Sequence, residues 1–343
     1  MSVPGLRTSD GVNINEIYYD VIIPMIEMYN KEDVTDFRAM FCQDADERVR
    51  NYYLPEASRF QLLEDDFEQP DWRKHNKGKA QNFANKYGGG FRYTEAYLKD
   101  TSSADIVHFT NALLEEDRLT QRYQILRALM FSGATATNAL YNGNFATYEG
   151  ISAPPAYGAN TFTASHNHYI GNQSGTLLLS DITAAKKHIV EHGKQGRIVA
   201  LVNSEQVQEV CNLASFVTFT GNGEGVSSKI SNPLTDRIMT DGYLGRILGV
   251  DFVENECIPA NYMLMGIFDE NELGKPCWFV EPNDPSWRGL QIVPGVVRPD
   301  YPLIGATATR WFKIAVKNRG SAYVTCMAAD ALYANSSYFT SAN

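Results

Sequence analysis

Apolar positions three and four apart alternate along this chain with short apolar runs and with segments in which every second residue is apolar. The longest helical pattern runs from about Ser103 to Met130, where Ile106, Phe109, Leu113, Tyr123, Leu126 and Met130 recur at helical intervals. Ser102 and Asp105 have the spacing of an N-terminal capping box for that helix. A second helix is expected after Asn13, with Ile17, Val21 and Ile22 on one face until Pro24 interrupts it. A third starts at Ser180, carries Ile182, Ala185 and Ile189 on one face and has Gly193 as its terminator.

Between Gly196 and Ala260 the pattern reads strand, capped helix, loop, strand. Ile198 to Val202 is an apolar run of strand length, and Asn203 with Gln206 has the form of a capping box opening a helix through Val207, Val210, Cys211 and Ala214. After a polar, glycine-rich excursion comes Tyr243-Leu-Gly-Arg-Ile-Leu-Gly-Val250-Asp-Phe-Val-Glu-Asn255, followed by Ile258-Pro-Ala260. Tyr262 to Phe268 and Cys277 to Val280 are further strands. Phe312, Ile314 and Val316 alternate, Asn318 to Ser321 turns, and Ala322, Val324 and Cys326 alternate back, which predicts a closing hairpin. Helices and strands thus mix around one sheet, an α+β architecture.

Between Asn51 and Tyr97 the chain is polar and aromatic, with an acidic cluster at Glu64, Asp65, Asp66 and Glu68 and a basic one from Arg73 to Lys79. Gly88-Gly89-Gly90 interrupts it, and Phe91, Tyr93 and Glu95 then alternate with Arg92, Thr94 and Ala96. Too poor in apolar residues for a core of its own, the segment predicts a long projecting hairpin that packs against a neighbour. From Ala128 to Ser180 the only charged residue is Glu149, although the stretch is rich in Gly, Asn, Thr, Ser and Tyr. Two readings fit it: burial between subunits, where charge is depleted, or a polar loop region over one side of the core.

At 343 residues the chain is long enough for about two domains. Its formal net charge of −10 disfavours a general nucleic-acid binder, whose affinity comes mainly from Lys and Arg on phosphates. The five cysteines have no CxxC spacing, which argues against a disulfide framework and for assembly in a reducing cytosol. The N-terminus lacks the pattern of a signal peptide, and the apolar cluster from Val21 to Met28 is too short and interrupted to cross a bilayer.

His166-Asn-His168 is the candidate metal pair, since two imidazoles one residue apart project to the same side of a strand, but a third ligand at recognisable spacing is missing. The bland alternative is a pair of histidines hydrogen-bonded within the uncharged region. Gly221-Asn-Gly223-Glu-Gly225 is closed by no Lys-Ser or Lys-Thr, so it does not make a phosphate loop. The acidic groups at Glu64 to Glu68 and Asp269 to Glu272 do not follow the calcium-loop pattern and read as solvated turns. No Gly-x-Ser-x-Gly elbow occurs. No enzyme and no cofactor is expected from these residues.

The block from Ile198 to Ala260 resembles the axial domain of tailed-bacteriophage major capsid proteins, the Hong Kong 97 phage-type fold. Thr161-Phe-Thr-Ala-Ser-His166-Asn-His-Tyr-Ile170 resembles a segment that precedes the axial domain in that family. The resemblance covers most of the chain from about Asn51 onward. It implies an N-terminal arm over residues 1–50, an extended hairpin loop over 51–100, and a peripheral domain with a long spine helix over 101–175. A mixed α/β axial domain over 176–302 and a return to the peripheral domain over 303–343 complete the plan. In function it implies a shell protein that self-assembles as pentamers and hexamers in the host cytoplasm, into the icosahedral capsid of a virion enclosing double-stranded DNA without sequence-specific contacts.

Phe60, Leu62, Phe67, Trp72, Phe83 and Tyr87 are then the candidate inter-subunit contacts of the hairpin, with Gly88, Gly89 and Gly90 as its hinge. Few residues precede the hairpin, so the resemblance implies a separate scaffolding protein, with a portal protein and a decoration or cement protein as further partners, and no membrane. Some family members crosslink a hairpin lysine to a neighbouring asparagine, and Lys74, Lys77, Lys79 and Lys86 are placed for it. Two other readings stand beside this one: an encapsulin, a nanocompartment shell of the same fold, and a metal-dependent enzyme using His166 and His168.

Overall fold

The computed structural model of the chain describes residues 6–32, 36–47, 50–53, 77–80, 83–91, 95–133, 139–143, 153–172, 174–194, 196–218, 242–268, 274–293, 306–327 and 333–340. Its α-helices are α1 (Ile14–Glu16), α2 (Ile23–Glu32), α3 (Asp36–Phe41), α4 (Glu95–Asp100), α5 (Ser103–Met130), α6 (Leu179–Val190), α7 (Val207–Cys211) and α8 (Ser337–Thr340). The strands are β1 (Cys42–Asp46), β2 (Arg50–Tyr53), β3 (Lys77–Ala80), β4 (Asn85–Phe91), β5 (Tyr169–Gly171), β6 (Arg197–Val202) and β7 (Val217–Thr218). They continue with β8 (Tyr243–Ile247), β9 (Val250–Glu254), β10 (Tyr262–Phe268), β11 (Cys277–Glu281), β12 (Leu290–Val293), β13 (Ala306–Val316) and β14 (Ala322–Cys326).

Two large sheets and one small one organise these strands, in place of the single sheet the sequence pattern suggests. The seven-stranded sheet has the order β5-β14-β10-β6-β9-β8-β7, with β6 parallel to β9 and β14 parallel to β5. Its central strand β6 is buried on both faces. Ile198, Ala200 and Val202 meet Ile182, Ala185 and Ile189 of α6, while Val199 and Leu201 face the main core with Ile125, Leu126 and Leu129 of α5. That double burial is why Ile198–Val202 reads as a continuous apolar run and not as an alternation.

The five-stranded sheet is built around β13, which is 11 residues long. One edge of β13 pairs with β4, and the other pairs with β12 near its start and β11 near its end, all antiparallel, while β1 adds in parallel to β11. The third sheet is the antiparallel pair β2 and β3, with Tyr53 opposite Lys77 and residues 54–76 between them. This pairing has the form of the base of a hairpin.

The helix expected over Ser103–Met130 forms over those 28 residues, and Ser102 with Asp105 closes the capping box. Its buried face, however, runs through Ile106, Thr110, Asp117, Gln121, Ile125, Leu126, Leu129 and Met130 and leaves Phe109 47% exposed. Only the last two turns meet the main apolar core. The middle of the helix instead buries charge: Asp117 Oδ2 accepts from Arg310 Nη1 at 2.6 Å, Tyr29 Oη at 2.8 Å and Gln121 Nε2 at 3.0 Å. A lone carboxylate there would be costly, and these donors offset the desolvation.

Four further expectations change. The closing hairpin does not form: β13 belongs to the five-stranded sheet and β14 to the seven-stranded one, so the turn at Asn318–Ser321, with Ser321 N donating to Asn318 O at 3.1 Å, carries the chain from sheet to sheet. Both strands alternate because each is half of a different sheet, and period-2 patterning cannot name its partner. Pro24 does not end the first helix: a π-helical stretch from Ile17 to Ile22 precedes it, and its widened turns absorb the missing N–H. Asn13 caps that helix as expected, accepting from Asn15 N.

The third change concerns residues 1–50, which do not all lie apart as an arm. Phe37, Met40, Phe41 and Cys42 are buried in the main core, and β1 pairs with β11. Ile14, Ile17, Tyr18, Ile22 and Ile26 pack around Ile106 of α5. The division at residue 302 likewise cuts across the sheets, because β11 and β12 pair with β13 while β14 pairs with β10. Fourth, Glu95 begins α4 where the alternation from Phe91 suggests a strand.

Candidate functional site

Four of the chain's six histidines meet at the C-terminal end of α6. His188 and His192 come from that helix and the turn after it, one helical turn apart. His166 and His168 come from the segment leading into β5. His168 is held from both sides by backbone, its N–H donating to Tyr141 O at 2.7 Å and its carbonyl accepting from Val324 N at 2.9 Å. The Nε2 atoms of His166, His168 and His192 form a triangle with sides of 3.0, 2.9 and 3.0 Å.

Aromatic rings wall this triangle. Phe162 stacks on His192 at 4.3 Å between centroids, and Tyr141 lies 4.8 Å from the same ring. On the far side Gly320 lets the chain pass against His192, since a Cβ there would sit 2.8 Å from the imidazole. Glu191 Oε1 lies 3.9 Å from His166 Nε2 and 3.5 Å from His188 Nδ1. Burial, reinforced by the neighbouring histidines, pushes His166 down to about 4 and His192 down to about 3, and takes His168 well below the ordinary imidazole value. All three rings are therefore neutral at pH 7.

The sequence pair His166 and His168 is thus brought together with two further imidazoles, His188 and His192, that the sequence reading missed. The overlooked signal is His188-x-x-x-His192, the i, i+4 spacing that puts two imidazoles on one side of a helix end.

A second buried constellation lies in the seven-stranded sheet. Asp251 of β9 is fully buried and accepts from Arg246 Nε at 2.7 Å, Arg246 Nη2 at 2.9 Å, Arg197 Nε at 2.5 Å and Tyr243 Oη at 3.0 Å. Burial by itself would raise this carboxyl, but the hydrogen bonds from Arg246 and Arg197 hold it below the usual carboxylate range. The cluster ties β6, β9 and β8 together by their side chains as well as by their backbones. At the other end of β6, Asn203 caps the helical segment that follows by accepting from Glu205 N, whereas Gln206 turns to Asn261 Oδ1 at 3.4 Å and leaves the reciprocal half of the box unmade.

Of the residues expected to make inter-subunit contacts, Phe60, Leu62, Phe67 and Trp72 lie outside the described residues, as do the acidic groups at Glu64–Glu68 and Asp269–Glu272 and the glycine string at Gly221–Gly225. Phe83 is 63% exposed. Tyr87 is half-buried against Phe312, with ring centroids 4.5 Å apart. The three expected hinge glycines sit inside β4, with Gly88, Gly89 and Gly90 opposite Thr309, Ala308 and Thr307. A Cβ at Gly88 would come within 2.7 Å of Ala308 O, whereas at Gly89 it would meet nothing within 4 Å. Tyr87, Gly88 and Gly89 also border a cleft of about 500 Å³ against Leu113, Thr120 and Tyr123 of α5. Lys86 places its ammonium 5.6 Å from the Trp311 ring centroid. Among the described residues no helix is long and apolar enough to cross a membrane.

The two sheets, the 28-residue helix lying against them and the strand–helix–strand unit from β6 to β9 make up a fold that this chain shares with chains of solved phage capsids. A chain from a solved structure of Mycobacterium phage Patience superposes with a TM-score of 0.65 at 19% identity, covering 97% of this chain and 94% of that one. A chain of the cyanophage A-1(L) capsid asymmetric unit superposes with a TM-score of 0.51 at 11% identity, covering 87% of this chain and 93% of that one. No protein-family model and no curated protein sequence matches the chain.

Proposed function

We propose that this chain is a major capsid protein, copies of which assemble as pentamers and hexamers into an icosahedral shell around double-stranded phage DNA. The observation that carries the reading is the likeness to the Mycobacterium phage Patience chain along 97% of the length, which leaves little of this chain for a different architecture. In this reading β2 and β3 are the base of an extended loop that reaches a neighbouring subunit, with Phe60, Leu62, Phe67, Trp72, Phe83 and Tyr87 as its contacts. The unit around β6 and β9 points to the capsomer axis. A closed shell requires one interface to serve pentamers and hexamers, so adaptation falls to projecting segments while the two sheets stay rigid. A net charge of −10 suits a container wall that does not hold its DNA by phosphate contacts.

The test is expression of the chain in bacterial cytoplasm, alone and with a scaffolding protein from the same locus, followed by negative-stain electron microscopy of the sedimented fraction. Polyhedral particles or hexameric sheets are expected. A uniformly small species in both preparations would overturn the reading. Particles that carry a co-expressed enzyme in place of DNA would favour the encapsulin alternative.

A further inference from the structure

We propose that His166, His168 and His192 bind one divalent first-row transition metal ion through their three Nε2 atoms, as a structural staple between the segment before β5 and the end of α6. Three observations carry this: the size of the triangle, the hydrogen-bond arithmetic inside it, and the position of a fourth donor.

The size fits an ion. Nitrogens that ligate zinc sit about 2.0–2.1 Å from it. Three of them with separations of 2.9 to 3.0 Å lie on a common sphere of that radius with angles near ~90° at its centre, the facial set of an octahedron. An expansion of roughly 0.4 Å per side would reach the tetrahedral geometry preferred by zinc.

Protons do not satisfy the triangle. His168 Nδ1 is 2.7 Å from Ala322 O, an atom that only accepts, so Nδ1 carries the hydrogen and Nε2 of the neutral ring is a bare lone pair. If His166 and His192 both carry Nε2–H and point it at His168, their own contact at 2.9 Å sets two hydrogens against each other. If only one of them carries the hydrogen, it serves at most its two contacts and leaves two lone pairs facing at the third. With neither protonated, all three contacts are repulsive. Adding a proton would place an uncompensated charge among rings packed against Phe162 and Tyr141. A cation at the centre of the lone pairs satisfies all three rings together, and the Ala322 carbonyl then plays the usual part of the acceptor that fixes a ligand's tautomer.

Glu191 supplies the fourth donor, its Oε1 3.9 Å from His166 Nε2, and adds negative charge beside the ion. His188 stands within 4.8 Å as the alternate, with no hydrogen-bond partner for its Nδ1. Four protein donors fill a tetrahedral shell and leave no position for substrate, which makes this a structural ion and not a catalytic one. The ion fastens a low-charge segment that has little apolar surface of its own to a helix and, through Ala322, to β14.

The experiment uses the full chain as purified, treated with dipicolinate and then titrated with Zn2+, with metal content by mass spectrometry and thermal melting as readouts. Co2+ substitution reports the ligand field by visible absorption. About one equivalent of Zn2+ per chain, a higher melting temperature with Zn2+, and Zn2+ affinity at least ~100-fold weaker in His166→Gln and His192→Ala are expected. His108→Ala, an exposed histidine on α5, should bind like the parent. Circular dichroism of the stripped variants shows that they fold, and His166→Gln keeps the side-chain volume if His192→Ala does not. Absence of stoichiometric metal in the folded parent, or equal binding by both histidine variants, would overturn the proposal. Because binding is counted per chain, the result does not depend on whether shells form.

Discussion

Arg310 donates from Nη1 to Asp117 Oδ2 at 2.6 Å, and both side chains are within 6% of complete withdrawal from water. This contact joins the middle of α5 to β13. Removing Asp117 takes from the buried Arg310 its shortest ion pair and leaves Glu281, whose Oε1 lies 4.0 Å from Nη2, beside it; breaking a buried pair in this way typically costs 3–5 kcal/mol. Asp117→Ala should therefore destabilise the subunit by about that much in urea unfolding, whereas the double change Asp117→Leu with Arg310→Met should recover most of the loss. A double variant as unstable as the single one would show that the ion pair is not the source of the effect.

Asp251 sets an acid limb of stability. Its carboxyl is held low by Arg246 and Arg197, so the folded chain gives up its proton more readily than the unfolded chain, where Asp titrates near ~3.9. The stabilisation is complete above that value and is lost as pH falls through it toward the lower folded one. In Asp251→Asn, stability at pH 7 should drop by about 3 kcal/mol, and the decline in urea midpoint as pH falls below about 4 should become shallower than in the parent. Parallel acid limbs would show that the carboxylate is not paired this way in solution.

Gly88 and Gly89 are neighbours in β4 with opposite tolerance. Alanine at 88 would press on Ala308 O and should cost about 1–3 kcal/mol, while alanine at 89 enters open space and should change unfolding free energy by no more than about 0.5 kcal/mol. Electron microscopy of Gly89→Ala then isolates the hinge. Normal closed shells from a protein stiffened at that position would remove Gly89 from any hinge role.

The pairing of Tyr53 with Lys77 defines a clean deletion. Replacing residues 54–76 with a two-residue Asn-Gly turn preserves β2, β3 and β4, whereas a cut extending to Lys86 would remove the start of β4 and damage its sheet. The shortened chain should keep the parent's circular dichroism and melting temperature and lose regular shells. Shells of normal size and yield would sink the proposed loop role.

Much of this fold is written locally. Ser102, Asp105 and the apolar spacing to Met130 set α5 to the residue, because capping and helical periodicity involve positions only three or four apart. The same holds for Ile182, Ala185 and Ile189 in α6 and for the run Ile198–Val202. Pro24 misled because a π-helical turn one step earlier accommodates it, and nothing in the residues from Ile17 to Ile22 marks such a widening. The histidine cluster was half legible: His166 and His168 stand two apart, but the third Nε2 comes from His192, on the far side of β5 and α6.

By itself the sequence determined the helices α5 and α6, the strand run Ile198–Val202, the acidic charge, and the resemblance to a capsid architecture carried by motif order. Only the tertiary structure decided how strands are partnered: that β13 and β14, separated by one turn, enter different sheets, that Phe37, Met40, Phe41 and Cys42 join the core while β1 pairs with β11, and that Asp117 meets Arg310. The reason is physical. Helical and turn preferences come from contacts between residues a few positions apart, whereas a strand's alternation states only which face is apolar. Which edge it joins, and which polar groups meet across hundreds of residues, depends on burying all of those faces at once.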